Sequence, residues 1–245
     1  MNQWPLPRVL AHRCGGTLAP ENTLIGLEFA IAHRCFGVEF DVMLSSNGTP
    51  VLIHDETLDR TTDGHGRVCD TPDSALLLCD AGTWHSARFA GERVPLFADA
   101  IRRCRALGIT ANVEIKPAEG FEVATGRITA ATAAAGWAGA EVQPLLSSFC
   151  VAALAAAAET APHLPRAILF DQLPPDWREQ VRALDAQGVV CNTRRLDAAT
   201  IAAVKHEGLR LAVYTENDPL RARQLFDWGV DSVITDRPDL VTANV

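Results

Sequence analysis

Eight short runs rich in strand-forming residues alternate with segments of helical period along nearly the whole chain. The strand runs are 8–12, 37–42, 110–116, 144–149, 166–170, 188–192, 210–215 and 231–235. The helical segments are 22–35, 96–107, 119–135, 150–160, 175–187, 197–207 and 218–228. A strand followed by a helix returns to pair in parallel, so this alternation predicts an α/β chain. Eight such units predict closure into a (β/α)8 TIM barrel. The chain has 245 residues, which suits a single barrel domain over 1–245. Gly108, Gly188, Gly208 and Gly229 follow helical stretches, where left-handed C-caps are expected.

One interval breaks the alternation. Residues 43–95 separate the second strand run from the helix at 96–107. They contain a short strand, PVLIHD at 50–55, then LDRTTDGHG and a segment ending GERVP. An insertion after a barrel strand sits at the C-terminal mouth, so 43–95 is expected to cap the pocket there.

Composition narrows the function. Hydrophobic residues make up 48% of the chain and charged residues 21%, enough for a substantial core. The formal net charge is −8 and no basic stripe occurs, which argues against a nucleic-acid partner. The seven cysteines are odd in number and include no CxxC pair. The N-terminus, MNQWPLPRVLAHR, lacks the charged and apolar regions of a signal peptide. No apolar stretch has the length of a membrane span. These features predict a cytoplasmic protein with free thiols and no stable membrane association, as monomer or homo-oligomer. Only two lysines occur, Lys116 and Lys205, and Lys116 lies in an otherwise apolar run.

Side chains two apart in a strand share a face. In GVEFDV this pairs Glu39 with Asp41, and in NVEIK it pairs Glu114 with Lys116. The alternate residues are apolar and suit the helix layer, so the four polar ones point into the barrel near the strand ends. Three carboxylates buried together need a compensating charge. An ion-pair network through Lys116 would supply it. A divalent ion would also, and all-oxygen ligands suit a hard ion such as Mg2+ or Ca2+, with Mn2+ a third candidate. His12 closes the first strand and His54 the short strand of the insertion. Histidine exchanges protons near neutral pH, and both stand beside the acidic set. Taken singly, each would more often be structural. Pro20-Glu21-Asn22-Thr23 reads as helix-start chemistry. Phe149 and Tyr214 end strands at the mouth and are candidates to contact substrate. Trp84 and Phe89 are candidates for the pocket wall or the core, and His65 and His85 lie in the insertion without a clear placement.

These residues together resemble the bacterial glycerophosphodiester phosphodiesterases. The resemblance rests on His12-Arg13, Pro20-Glu21-Asn22-Thr23, Glu39-Phe40-Asp41, His54-Asp55, Leu58-Asp59-Arg60-Thr61-Thr62 and Glu114-Ile115-Lys116. Residues 89–95 and Thr235-Asp236-Arg237-Pro238-Asp239 continue it, so that it runs from about residue 8 to 240. It implies a divalent cation on Glu39, Asp41 and Glu114. It implies His12 as general base, His54 as general acid, and Arg13 and Lys116 on the phosphate. The implied reaction is hydrolysis of a glycerophosphodiester to sn-glycerol 3-phosphate and an alcohol, by the cytosolic subtype. The sequence departs from the family at Cys14, where a glycine or another small residue is usual. It departs again at Glu216, where an apolar residue is common and an acid would disfavour anionic head groups.

Two other readings follow from the same residues. A lysophospholipase D-like activity would need an apolar mouth, whereas the insertion is polar around 55–73. A barrel that binds phosphodiesters without turnover would be expected to lack a carboxylate or a histidine of the set, and all five are present.

Overall fold

The computed structural model describes residues 4–244, so residues 1–3 and 245 of the expected domain and N-terminal segment lie outside the described residues. The strands are β1 (Val9–Ala11), β2 (Gly37–Leu44), β3 (Pro50–Leu52), β4 (Thr110–Ile115), β5 (Leu145–Ser148), β6 (Arg166–Phe170), β7 (Gly188–Asn192), β8 (Arg210–Tyr214) and β9 (Ser232–Thr235). They form one sheet in the order β1-β9-β8-β7-β6-β5-β4-β2-β3. Pairing of β1 with β2, Ala11 opposite Val38, closes it into a parallel eight-stranded TIM barrel. Among the described residues, only strand β3 stands outside the barrel, antiparallel to the end of β2 with Leu52 opposite Val42.

The helices are α1 (Leu24–Ala32), α2 (Asp73–Leu76), α3 (Phe97–Leu107), α4 (Glu122–Gly136), α5 (Val151–Thr160), α6 (Trp177–Ala183), α7 (Ala198–His206) and α8 (Pro219–Asp227). Their starts follow local chemistry. Asp218 caps α8 by accepting from the Leu220 N–H at 2.9 Å, with Pro219 in the first helical position. Gly108 ends α3 at φ +66°, and Gly208 and Gly229 are left-handed too, at +73° and +105°. Gly188 is not a cap, contrary to expectation. It opens β7, where a Cβ would lie 2.4 Å from the Arg210 carbonyl oxygen. Helix α6 stops earlier, and Asp185 takes the left-handed position at φ +47°.

Strand alternation divides the barrel as the sequence pattern requires. Val38, Phe40 and Val42 face the helices, and Phe40 meets Phe97 of α3 edge-on at 6.0 Å between ring centroids. Burying an aromatic side chain of this kind contributes about 1.5–3 kcal/mol. The inner face is apolar at one end, with Leu10, Leu145, Ala167, Val190, Ala212 and Ile234 filling it. Toward the other end it turns acidic. Glu39 stands opposite Asn112, and Asp41 opposite Glu114, so three carboxylates from adjacent strands meet at the C-terminal mouth.

The insertion departs from the expected 50–55 strand. Pairing stops at Leu52, and after Ile53, whose N–H donates to the Asp41 carbonyl at 3.2 Å, the chain turns away with His54 already outside the ladder. Polar in sequence, the segment nevertheless encloses a core of Met43, Val51, Leu58, Val68, Leu76 and Val94. All seven cysteines are free thiols. Among the described residues, no helix is long and apolar enough to cross a membrane.

Candidate active site

The turn after β1 sets the first group of side chains. Arg13 and Cys14 adopt φ +49° and +76°. For non-glycine residues this costs roughly 1–2 kcal/mol each. Three hydrogen bonds hold the turn. The Arg13 N–H donates to Glu39 Oε2 at 3.0 Å, the Cys14 N–H to the Glu39 carbonyl at 2.8 Å, and the Gly16 N–H to the His12 carbonyl at 2.7 Å. Cys14 is fully buried, and it fits because residue 26 is glycine: a Cβ there would lie 2.9 Å from the Cys14 Cβ. The departure at Cys14 is therefore accommodated by Gly26.

His12 is held from behind. Its Nδ1 lies 2.6 Å from Asp236 Oδ1, and a carboxylate only accepts, so Nδ1 carries the proton. Asp236 in turn accepts from the Asn217 amide at 3.0 Å. This leaves His12 Nε2 facing Glu39 Oε2 at 3.8 Å. Burial pushes the His12 pKa down, but the hydrogen bond to Asp236 and the charge of Glu39 outweigh it and leave the pKa raised.

His54 is held in a parallel way by residues of the insertion and of β4's end. Its Nδ1 donates to Asp55 Oδ1 at 2.6 Å, and its Nε2 accepts from the Lys116 ammonium at 2.8 Å. Burial, with Arg13 and Lys116 nearby, lowers its pKa against the opposing charge of Asp41. Lys116 also lies 3.6 Å from Glu114 Oε1 and 3.8 Å from Asp41 Oδ1.

One oxygen from each of Glu39, Asp41 and Glu114 falls within 4.8 Å of the others, and all three side chains are largely buried. Burial and the charge of Asp41 push Glu39 up to about 7. Burial, then Asp41 and Glu39, push Glu114 well above the carboxylate range. Lys116 and Arg13 oppose this shift at Glu114 without cancelling it. Three crowded, buried oxygen donors fit a hard divalent ion, whose charge would hold all three ionised.

Asn22 was not singled out by the sequence pattern. Thr23, not Asn22, caps α1, and the Asn22 amide donates to Asp41 Oδ2 at 2.9 Å. Asp55 and Asp236 were likewise legible only as motif members, each next to or near a motif segment without an assigned partner. Phe149 is exposed and meets Tyr214 edge-on at 5.9 Å, while the Tyr214 hydroxyl donates to the Phe170 carbonyl at 3.2 Å. Both stand at strand ends on the mouth. Glu216 accepts from the N–H groups of Asn217 and Asp218 at 2.9 Å, so its charge is engaged locally at the approach to α8. His65 pairs with Asp59 on the surface. Phe89 is buried against Phe29. Trp84 lines a cavity of about 420 Å³ together with His12, Arg13, Thr17, Glu21, His85 and Asp236. A larger groove of about 760 Å³ between α3 and α4 holds neither a carboxylate nor a histidine, so chemistry and not volume marks the site.

Comparison with known proteins gives one answer. The sequence model of the glycerophosphoryl diester phosphodiesterase family matches residues 12–240. A glycerophosphodiester phosphodiesterase of Caldanaerobacter subterraneus subsp. tengcongensis is 30% identical over 232 residues, covering 94% of both chains. A phosphodiesterase of Oleispira antarctica, solved with the product sn-glycerol-3-phosphate, superposes with a TM-score of 0.91 at 34% identity, over 96% of this chain and 95% of that one. A glycerophosphodiester phosphodiesterase of Agrobacterium tumefaciens superposes with a TM-score of 0.81 at 27% identity, over 98% and 100%. The chain therefore belongs to the glycerophosphoryl diester phosphodiesterase family and is a phosphoric diester hydrolase.

Proposed function

We propose that this protein hydrolyses glycerophosphodiesters to sn-glycerol 3-phosphate and an alcohol in a metal-dependent reaction with two histidines. The observation that carries this reading is the acidic triad set between two histidines, each backed by its own carboxylate. The sn-glycerol-3-phosphate bound to the Oleispira antarctica relative supports the substrate class. Glu39, Asp41 and Glu114 would hold Mg2+, Ca2+ or Mn2+. The bound ion supplies positive charge against the phosphate oxygens and the charge that develops on them.

The chain's own residues do the rest. Arg13 and Lys116, at the triad's edge, bind and orient the phosphate. His12 accepts the proton of the nucleophile at Nε2, with Asp236 holding Nδ1–H and so fixing the tautomer. His54 delivers a proton from Nε2 to the leaving oxygen, with Asp55 in the matching place. The nucleophile is water, or the neighbouring glycerol hydroxyl through a cyclic phosphate. Phosphorus NMR of His12→Ala and His54→Ala turnovers separates these routes, because an accumulating cyclic phosphate identifies the second. Phe149 and Tyr214 contact the organic part of the substrate, and segment 43–95 caps the mouth within a single domain.

One observation favours the reverse assignment of the histidines. The Lys116 ammonium donates to His54 Nε2, which makes His54 a neutral acceptor, while the surroundings favour protonated His12. Positive charge at Glu39 would weaken the pull that Glu39 exerts on His12 and favour a neutral His12 able to accept a proton. Hydrolysis of a glycerophosphodiester panel with EDTA, then with each metal returned, tests the whole reading. Absence of hydrolysis under every metal would refute it. Comparison of glycerophosphocholine with lysophosphatidylcholine in the same panel separates it from a lysophospholipase D-like activity.

A further inference from the structure

A continuous chain of charge-assisted hydrogen bonds crosses from the turn after β1 to the insertion after β3. The Arg13 guanidinium donates to Glu21 Oε1 at 2.9 Å. From the other side Arg60 donates to both Glu21 oxygens, at 2.9 and 2.8 Å. The same Arg60 guanidinium donates to both oxygens of Asp55, through Nε at 2.6 Å and a terminal nitrogen at 3.0 Å. Asp55 then accepts from His54 Nδ1 at 2.6 Å. Arg60 thus forks onto two carboxylates at once, which a lysine ammonium cannot reproduce.

The arrangement differs from an ordinary surface ion pair, which contributes about 0–1 kcal/mol. The Glu21 side chain is 13% exposed and Arg60 44%, so the network runs from solvent into the site. Burial would raise the Glu21 pKa, yet Arg60 and Arg13 hold it below the usual carboxylate range. Asp55 adjoins His54 in sequence and would be free to rotate away. Arg60 removes that freedom by fixing both oxygens.

We propose that Arg60 and Glu21 are positioning residues, which fix Asp55 and thereby aim His54 at the substrate in register with Arg13. The proposal rests on the two-histidine reading above. It assigns a role to the Arg60 and Glu21 positions, which contact neither metal ligand nor reacting histidine directly.

A double-mutant cycle on the full-length protein tests it. The kcat and KM of Arg60→Ala, His54→Ala and the double variant are measured on glycerophosphocholine with metal present. Arg60→Ala should lower kcat about 10- to 100-fold with KM little changed, the loss typical of a supporting hydrogen-bond partner. In the His54→Ala background it should cost nothing further, because its effect passes through His54. Arg60→Lys keeps the charge and guards against loss of fold, and it should lose most of the kcat as well. Glu21→Gln should fall in the same direction. Equal losses from Arg60→Ala in both backgrounds overturn the positioning role and leave the two-histidine reading standing. Wild-type kcat in Arg60→Lys overturns it also. Wild-type turnover in His54→Ala refutes the two-histidine reading itself and the positioning role with it.

Discussion

Asn22 grips Asp41 at two points: its Nδ2 donates to Oδ2 at 2.9 Å, and its Oδ1 accepts the Asp41 backbone N–H at 3.1 Å. Both residues are buried, and the grip leaves Asp41 Oδ1 turned toward Lys116 and the other carboxylates. A carboxylate held in this way would lose little freedom on binding an ion. Asn22→Ala should raise the divalent-ion concentration for half-maximal activity about 10- to 100-fold. A metal titration of activity checks this, and an unchanged midpoint removes Asn22 from the site.

Loss of either histidine should lower kcat by about 10²- to 10⁴-fold while the circular dichroism spectrum persists. The leaving group decides which histidine is the acid. A p-nitrophenyl ester departs without protonation, so the variant that lacks the acid should recover on it. Recovery of His54→Ala is expected. Recovery of His12→Ala instead would select the reverse assignment.

The metal-free protein should lose stability as pH rises between about 4.5 and 7. Glu39 rises from the ordinary 4.5 to about 7 in the folded state, chiefly through burial. In that interval the folded state keeps a proton that the unfolded state has released, so rising pH favours unfolding. Glu114 shifts in the same direction, so the two carboxyls act together across the interval. Asp55 and Glu21 shift downward and act at lower pH, where their contribution is lost as pH falls. Denaturation in EDTA at pH 5 and pH 7.5 measures the effect. Saturating divalent ion should abolish the loss, and equal stability at both pH values in EDTA would contradict the acidic-triad account.

Gly26→Ala should destabilise the fold by about 1–3 kcal/mol and lower activity as well. Its Cβ would lie 2.9 Å from the Cys14 Cβ and 3.1 Å from the Gly15 nitrogen, pressing on the turn that carries His12 and Arg13. Thermal unfolding and kcat should fall together. The double variant Cys14→Gly/Gly26→Ala should regain part of both.

Phe149→Ala should raise KM with little change in kcat. Phe149 is exposed on the mouth, edge-on to Tyr214, and carries no proton-transferring group, so it offers the same apolar contact to ground and transition states. A kcat loss equal to the loss in kcat/KM would place Phe149 nearer the reacting centre.

The barrel was legible in the sequence because its signals are local. Period-two strands and period-3.6 helices are written residue by residue, and alternation brings Glu39 and Asp41 to one face wherever β2 goes. The errors lie at junctions. Gly188 looked like a helix cap, but the close approach of the Arg210 backbone required it. His54 looked like the end of a strand, but the ladder had already stopped at Leu52.

Sequence by itself determined the eight-unit barrel, the acidic face of β2 and β4, and the set of polar side chains able to meet at its mouth. Only the tertiary structure decided how they are paired. His12 and Asp236 are 224 residues apart, and Arg60 and Glu21 are 39 apart. Closure of β1 onto β9 brings the first pair together, and the folding back of the insertion brings the second. The physical reason is that strand periodicity fixes which face a side chain occupies. A hydrogen bond of 2.6 Å depends instead on where distant segments come to rest.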